Sequence, residues 1–289
     1  MTTRAAANGL ELCYEVHGDE ADEPMLLIHG HGAQLIAWHE DLLDQLVGLG
    51  FYVLTFDNRD AGLSTHLEAA PVPDAAAVVA GEATPPYVID DMADDAASLL
   101  DALGIEAAHV LGVSMGGMIA QEVAIGHQGK VRSLTSVMSS PDPVRVGTPT
   151  TEVLEMMTEP GATTREGVIE QSLASWRRTG SVDLGLDEAW MADIAGRQFD
   201  RAFDPDGVGR QFAAIVGSRD RRPGLASVTV PTLVVHGAID PIVTLAGGKA
   251  TADAVPGATL VAIDKMGHDL PKAVWPQLLD AVHDVTKRA

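Results

Sequence analysis

Among the serines of this 289-residue chain, one is set apart by its neighbours, Gly112-Val113-Ser114-Met115-Gly116. A serine hydroxyl is a poor nucleophile near neutral pH. It needs a base within hydrogen-bond reach, a carboxylate behind that base, and N–H donors for the oxyanion it generates. The GxSxG pentapeptide provides the nucleophile when a strand runs into it and a helix leaves it. Here Ala107-Ala108-His109-Val110-Leu111 reads as a buried strand, and Met115 to His127 has helical spacing. So sharp a turn puts the serine at strained backbone angles, and glycine at 112 and 116 lets strand and helix approach without a Cβ clash. The turn aims the Met115 N–H at the reacting carbonyl. A chain with 29 glycines can produce the pentapeptide by chance, so the other parts must be present too.

Ten histidines compete for the role of base. His268, in Lys265-Met-Gly-His-Asp-Leu-Pro271, lies between the last apolar strand and the last helix, where a loop can carry an imidazole over the serine. His283 falls inside the closing helix, and His127 reads as a C-terminal helix residue turned away from the site. The carboxylate that orients the imidazole is expected from Asp240 in His236-Gly-Ala-Ile-Asp-Pro241. An aspartate before proline is also an ordinary turn residue. Chain order favours the functional reading, since serine, acid, histidine is the order of this motif set. Asp264 remains a rival acid, whereas Asp269 adjoins His268 and should point elsewhere. The second oxyanion donor is expected from His29-Gly30-His31-Gly32, through the His31 amide rather than its ring. The His29 ring reads as loop packing. Two histidines at i and i+2 lack the further ligands of a zinc site, so no metal is expected. In Phe56-Asp57-Asn58-Arg59-Asp60-Ala61-Gly62-Leu63-Ser64, Asp57, Arg59 and Asp60 read as a buried ion-pair and turn network beside the site. Trp38, Met118, Trp176, Trp190 and Phe212 are candidates for an acyl pocket, none of them compelling alone.

These groups need a scaffold, and the pattern supplies one. Leu10–Val16 alternates like an edge strand. Pro24–Ile28, Phe51–Phe56, Val131–Met138, Pro231–Val235 and Ala258–Ile263 are apolar runs suited to strands covered on both faces. Helical stripes fall at Trp38–Leu49, Asp90–Leu103 with Gly104 as a stop, near Leu245–Val255, and at Ala273–Val285. Alternating strands and helices predict a mostly parallel sheet with helices on both faces. From 140 to about 225 the strands vanish and helices are expected at Thr164–Arg178, Asp187–Phe199 and Gly207–Val216. The organisation expected is a core over 1–139, a helical cap over 140–225, and the rest of the core over 226–289, carrying acid and histidine. The Ala/Pro-rich stretch Glu68–Pro86 reads as a surface loop near the mouth.

Hydrophobic residues make up 46% of the chain, ample for a core. No segment reaches the roughly 18 apolar residues in a row that a membrane span requires. The first residues lack an apolar leader, which predicts a cytoplasmic location. Cys13 is the one cysteine, so no internal disulfide or cysteine-rich metal site is expected, and a buried thiol is. With 41 acidic against 19 basic residues the net charge is −22, which repels phosphate backbones and argues against nucleic acid and anionic membrane surfaces.

Elbow, HGHG loop, FDNRDAGLS, HGAIDP and MGHDLP, in that setting, resemble the α/β-hydrolase superfamily, from about Leu10 to the C-terminus outside the cap. The pairing of the DNRDAGLS loop with GVSMGG is similar to bacterial carboxylesterases of the aclacinomycin methylesterase-like branch. The resemblance implies Ser114 as nucleophile, Asp240 as acid, His268 as base, the His31 and Met115 amides as the oxyanion hole, and no cofactor. The activity expected is hydrolysis of a small carboxylic ester or lactone with an apolar acyl or alcohol part. A cofactor-free perhydrolase or haloperoxidase-like enzyme uses the same triad, and a non-catalytic ligand-binding protein is the alternative from another class. A homodimer is compatible with all three.

Overall fold

The computed structural model describes residues 3–157 and 159–289. Eight strands form one sheet: β1 (Thr3–Ala7), β2 (Leu10–His17), β3 (Glu23–Ile28), β4 (Phe51–Phe56), β5 (Ala108–Val113), β6 (Val131–Val137), β7 (Thr232–Gly237) and β8 (Thr259–Ile263). Their order is β1-β2-β4-β3-β5-β6-β7-β8. The run from β4 to β8 is parallel, while β2 pairs antiparallel with both β4 and β1. The edge beyond β2 is therefore β1, an element whose residues Thr3–Ala7, three of them alanines, carry no apolar alternation. Leu10–Val16, expected at the edge, lies one strand in.

Period-two geometry divides each central strand between two cores. Leu26, Val110 and Leu134 face α3 (Ile89–Ala102) and α4 (Met115–Gly126), meeting Met92, Leu99, Ile119 and Val123. Leu27, Leu111 and Leu233 face the other way, onto Leu42 and Leu46 of α1 (Glu40–Gly48) and Leu278 and Val282 of α11 (Trp275–Thr286). All six residues of β5 and of β7 are buried, His109 and His236 included, as strands covered on both faces require. Truncating one of these leucines to alanine should cost about 2–5 kcal/mol. Gly104 ends α3 with φ 70°, a left-handed stop that glycine adopts without strain.

Between β6 and β7 the chain is helical: α5 (Thr151–Met157), α6 (Arg165–Thr179), α7 (Glu188–Arg201), α8 (Pro205–Gly217) and α9 (Arg222–Leu225). Three of these begin on side-chain caps. Thr164, Asp187 and Asp204 accept from the N–H of Gly167, Trp190 and Gly207, and Pro205 sits at the first position of α8. The short helices α5 and α9 give too little periodicity to be read from sequence. The segment 68–86 is not plain loop: it holds α2 (Ala75–Val79), capped by Asp74 and packed against α8. The last strands are joined by α10 (Leu245–Ala254).

Buried ion pairs fasten these helices to the loop after β4. Arg201 reaches Asp57 at 2.7 Å and Arg210 reaches Asp60 at 2.8 Å, while Arg59 pairs within the core with Asp95 at 2.6 Å. Arg210 and Asp60 have side chains only 2% and 0% exposed. Removing one partner would strand the other charge, at about 3–5 kcal/mol. The expected ion-pair network is present. Two of its cationic ends come from helices 144 and 150 residues away in sequence, Arg201 on Asp57 (201 − 57) and Arg210 on Asp60, while Arg59 supplies its own to Asp95.

Candidate active site

Ser114 occupies the turn between β5 and α4 at φ 55° and ψ −121°, a conformation that costs a non-glycine residue about 1–3 kcal/mol. Its neighbours explain how the strain is held. A Cβ on Gly112 would overlap the Gly116 carbonyl, and one on Gly116 would overlap the Ile28 carbonyl. The Ser114 N–H donates to Val137 O at 2.9 Å, tying the turn to β6.

His268 arrives on the loop after β8, with its Nε2 at 2.9 Å from Ser114 Oγ. Its Nδ1 lies 2.7 Å from Asp240 Oδ2. A carboxylate can only accept here, so Nδ1 carries the proton and Nε2 is left to accept from the serine hydroxyl. The other oxygen, Asp240 Oδ1, accepts from the N–H groups of Ile242 and Val243 at 2.9 and 3.0 Å. Asp240 is thus both the turn residue before Pro241 and the partner of the imidazole. Asp264 is exposed on the surface, and Asp269 turns to Ser181 instead. His236, behind the acid, donates from Nε2 to Val243 O at 2.7 Å, and burial lowers its pKa. It braces the same turn, and only its place at the end of β7 could have suggested this.

The HGHG loop lies against the elbow: a Cβ on Gly30 would come within 3.1 Å of Ser114 Cβ and 3.3 Å of Val113 O. Its two imidazoles diverge. The His29 ring packs on Trp38 with centroids 4.8 Å apart and accepts from the Gly30 N–H at 2.8 Å. Burial pushes its pKa down to about 4, so it stays neutral. The His31 ring points to α8, with Nε2 at 2.8 Å from Val208 O. Among the described residues the main-chain N–H groups of His31 and Met115 meet no protein acceptor.

A cavity of about 670 Å³ opens over Ser114 and His268, walled by Trp38, Trp176, Trp190 and Met191. Three of the five apolar candidates therefore face it. Met118 is buried in the core, and Phe212 packs on that core and against the His31 ring. Sequence reasoning passed over His39, which stacks on Trp190 at 5.0 Å and meets Trp275 edge-on at 5.0 Å.

Asp60, His66 and Asp204 lie close enough together to suggest a cation site. Their oxygens are already committed to Arg210 and Tyr87, and a metal would have to displace a buried guanidinium. The group is an ion-pair junction. Cys13, in β2, is a buried thiol whose pKa burial raises to about 11. No helix among the described residues is long and apolar enough to cross a membrane.

A mostly parallel sheet with a strained serine at the end of its fifth strand defines a class, and the chain belongs to the alpha/beta hydrolase fold family, which it matches over residues 23–271. Within that family it is similar to rhodomycin D methylesterase DnrP of Streptomyces peucetius, 29% identical with 100% of this chain and 99% of that protein covered. It is 23% identical to 3-oxoadipate enol-lactonase 1 of Acinetobacter baylyi, over 83% of this chain and 80% of the relative. A solved enol-lactonase from Burkholderia xenovorans superposes with TM-score 0.73 at 25% identity, covering 98% and 97% of the two chains.

Proposed function

We propose that this protein is a serine hydrolase of carboxylic esters that works through an acyl-enzyme. The observation that carries the reading is the unbroken relay Ser114 Oγ, His268 Nε2, His268 Nδ1, Asp240 Oδ2 at 2.9 and 2.7 Å beneath an apolar cavity. His268 takes the hydroxyl proton as Ser114 Oγ bonds to the ester carbonyl carbon. The imidazolium so formed is stabilised by Asp240 and gives the proton to the departing alcohol. The N–H groups of Met115 and His31 receive the oxyanion, and their freedom from protein acceptors supports that role. Water, activated by the same histidine, then releases the acid. The relatives named as methylesterases support a methyl ester as the scissile group, with the larger part of the substrate in the tryptophan-lined cavity. We further propose that the helices within 140–225 form a cap over a core built from 1–139 and 226–289.

The test is a burst experiment with p-nitrophenyl esters from acetate to octanoate. The wild type should release a stoichiometric burst, and Ser114→Ala should lose it with at least about a 10³-fold fall in kcat. A loss below tenfold would overturn the reading.

A further inference from the structure

The loop that carries His268 is held from the side of the helical segment. Three consecutive loop residues, 267–269, bond to two residues at the end of α6 and just beyond it, Thr179 and Ser181. The His268 N–H donates to Thr179 O at 2.8 Å. The Gly267 N–H donates to Ser181 Oγ at 2.8 Å. Asp269 Oδ1 accepts from the Ser181 N–H at 2.9 Å and also from the Ser181 hydroxyl. The Ser181 hydroxyl therefore accepts from one loop residue and donates to another. The join is dry and close: Ser181 and Thr179 are 0% and 1% exposed, and a Cβ on Gly267 would overlap the Thr179 carbonyl. The residues on both sides of His268 and the His268 N–H itself are all engaged.

We propose that Ser181 and Asp269 are positioning residues that set the His268 imidazole against Ser114 only while the end of α6 is docked. The proposal rests on the serine hydrolase reading above. Neither side chain is hydrogen-bonded to Ser114 or to the His268 ring, whose two nitrogens go to Ser114 and Asp240. What they fix is the height and rotation of the loop. A displacement of about 1 Å in a reacting group costs on the order of 10²-fold in rate, and the Nε2–Oγ contact at 2.9 Å leaves little slack. Asp269 acts as an acceptor in this scheme, with one oxygen serving two donors. Its other oxygen, Oδ2, is buried without a partner, so an amide at 269 keeps the acceptor that matters and replaces only the idle oxygen.

The experiment compares Ser181→Ala, Asp269→Ala and Asp269→Asn with wild type and Ser114→Ala, on p-nitrophenyl butyrate, with thermal melts alongside. Ser181→Ala and Asp269→Ala should lose kcat by about 10- to 100-fold, with KM within twofold and the protein folded at the assay temperature. Asp269→Asn should recover most of the rate. Unchanged kcat with a lowered Tm would mean the contacts serve stability alone and overturn the proposal. Asp269→Asn as slow as Asp269→Ala would assign the role to the carboxylate charge rather than to the acceptor and overturn it too. If an alanine variant does not fold, Ser181→Cys keeps the volume while weakening both bonds, and a wild-type kcat there overturns the proposal. Full activity in Ser114→Ala would instead remove the underlying reading.

Discussion

A side chain and the backbone it sits on can have separate jobs, and His31 is the case in point. Its ring is turned to Val208 of α8, while among the described residues its N–H meets no protein acceptor. If the amide is the oxyanion donor, His31→Ala should leave kcat within about tenfold, because the N–H survives the substitution. Loss of a true oxyanion donor costs about 10²–10³-fold, and a decrease of that size in His31→Ala would move the role to the ring. His268→Ala, measured beside it on the same ester, should fall by three orders or more. Asp240 makes the same point from the other side: a single carboxylate closes a turn with Oδ1 and orients an imidazole with Oδ2. The turn and the imidazole contact coexist because they use different oxygens.

Elements meet through charge as well as through apolar faces. His66, on the loop after β4, directs Nδ1 to Asp204 Oδ2 at 2.5 Å and Nε2 to the Gly62 carbonyl at 2.9 Å. Both partners accept, so only the imidazolium satisfies both. Burial opposes that charge, but the Asp204 and Gly62 bonds outweigh it and raise the His66 pKa above its ordinary 6.5. Asp60 adds attraction, and Arg210 faces the same carboxylate. A histidine that holds its proton more tightly when folded contributes stability that is complete below its unfolded pKa. That contribution is lost as pH rises through the folded value. Asp204 is also the N-cap of α8, so the loss should be felt where this helix joins the core. Urea melts at pH 6 and pH 9 should show a wild-type advantage over His66→Gln at pH 6 that shrinks at pH 9. An advantage independent of pH would show that the ring acts by shape alone.

At the scale of the molecule, a net charge of −22 meets a fold whose cations are drawn into pairs. Arg59, Arg201 and Arg210 are spent on buried aspartates. The acidic excess is left near the surface, where like charges repel and destabilise the compact state. Added salt should screen this, since the Debye length falls from about 30 Å at 0.01 M to about 3 Å at 1 M. Tm should therefore rise from 10 mM to 500 mM NaCl, and a flat or falling Tm would show that the excess is already neutralised by local pairing.

Strand runs, helical stripes and the order of GVSMG, HGAIDP and MGHDLP determined most of this protein by themselves. Each is a local statement: an apolar run is buried on both faces, and a glycine permits a contact its neighbours demand. Such signals survive without knowledge of the partner, which is why Ser114, Asp240 and His268 could be picked as candidates that the structure then brings within hydrogen-bond reach of one another. The sheet edge was not, because Thr3–Ala7 has no pattern and gains its bonds only from β2. Nor were α5 and α9, too short to show a period, or α2 within a stretch that reads as loop. Tertiary structure alone decided the long-range polar pairings. Arg210 finds Asp60 from 150 residues away, and Ser181 finds Asp269 from 88. A buried charge or hydroxyl must be satisfied by something, but nothing near it in sequence says by what, so the partner appears only once the chain has closed around it.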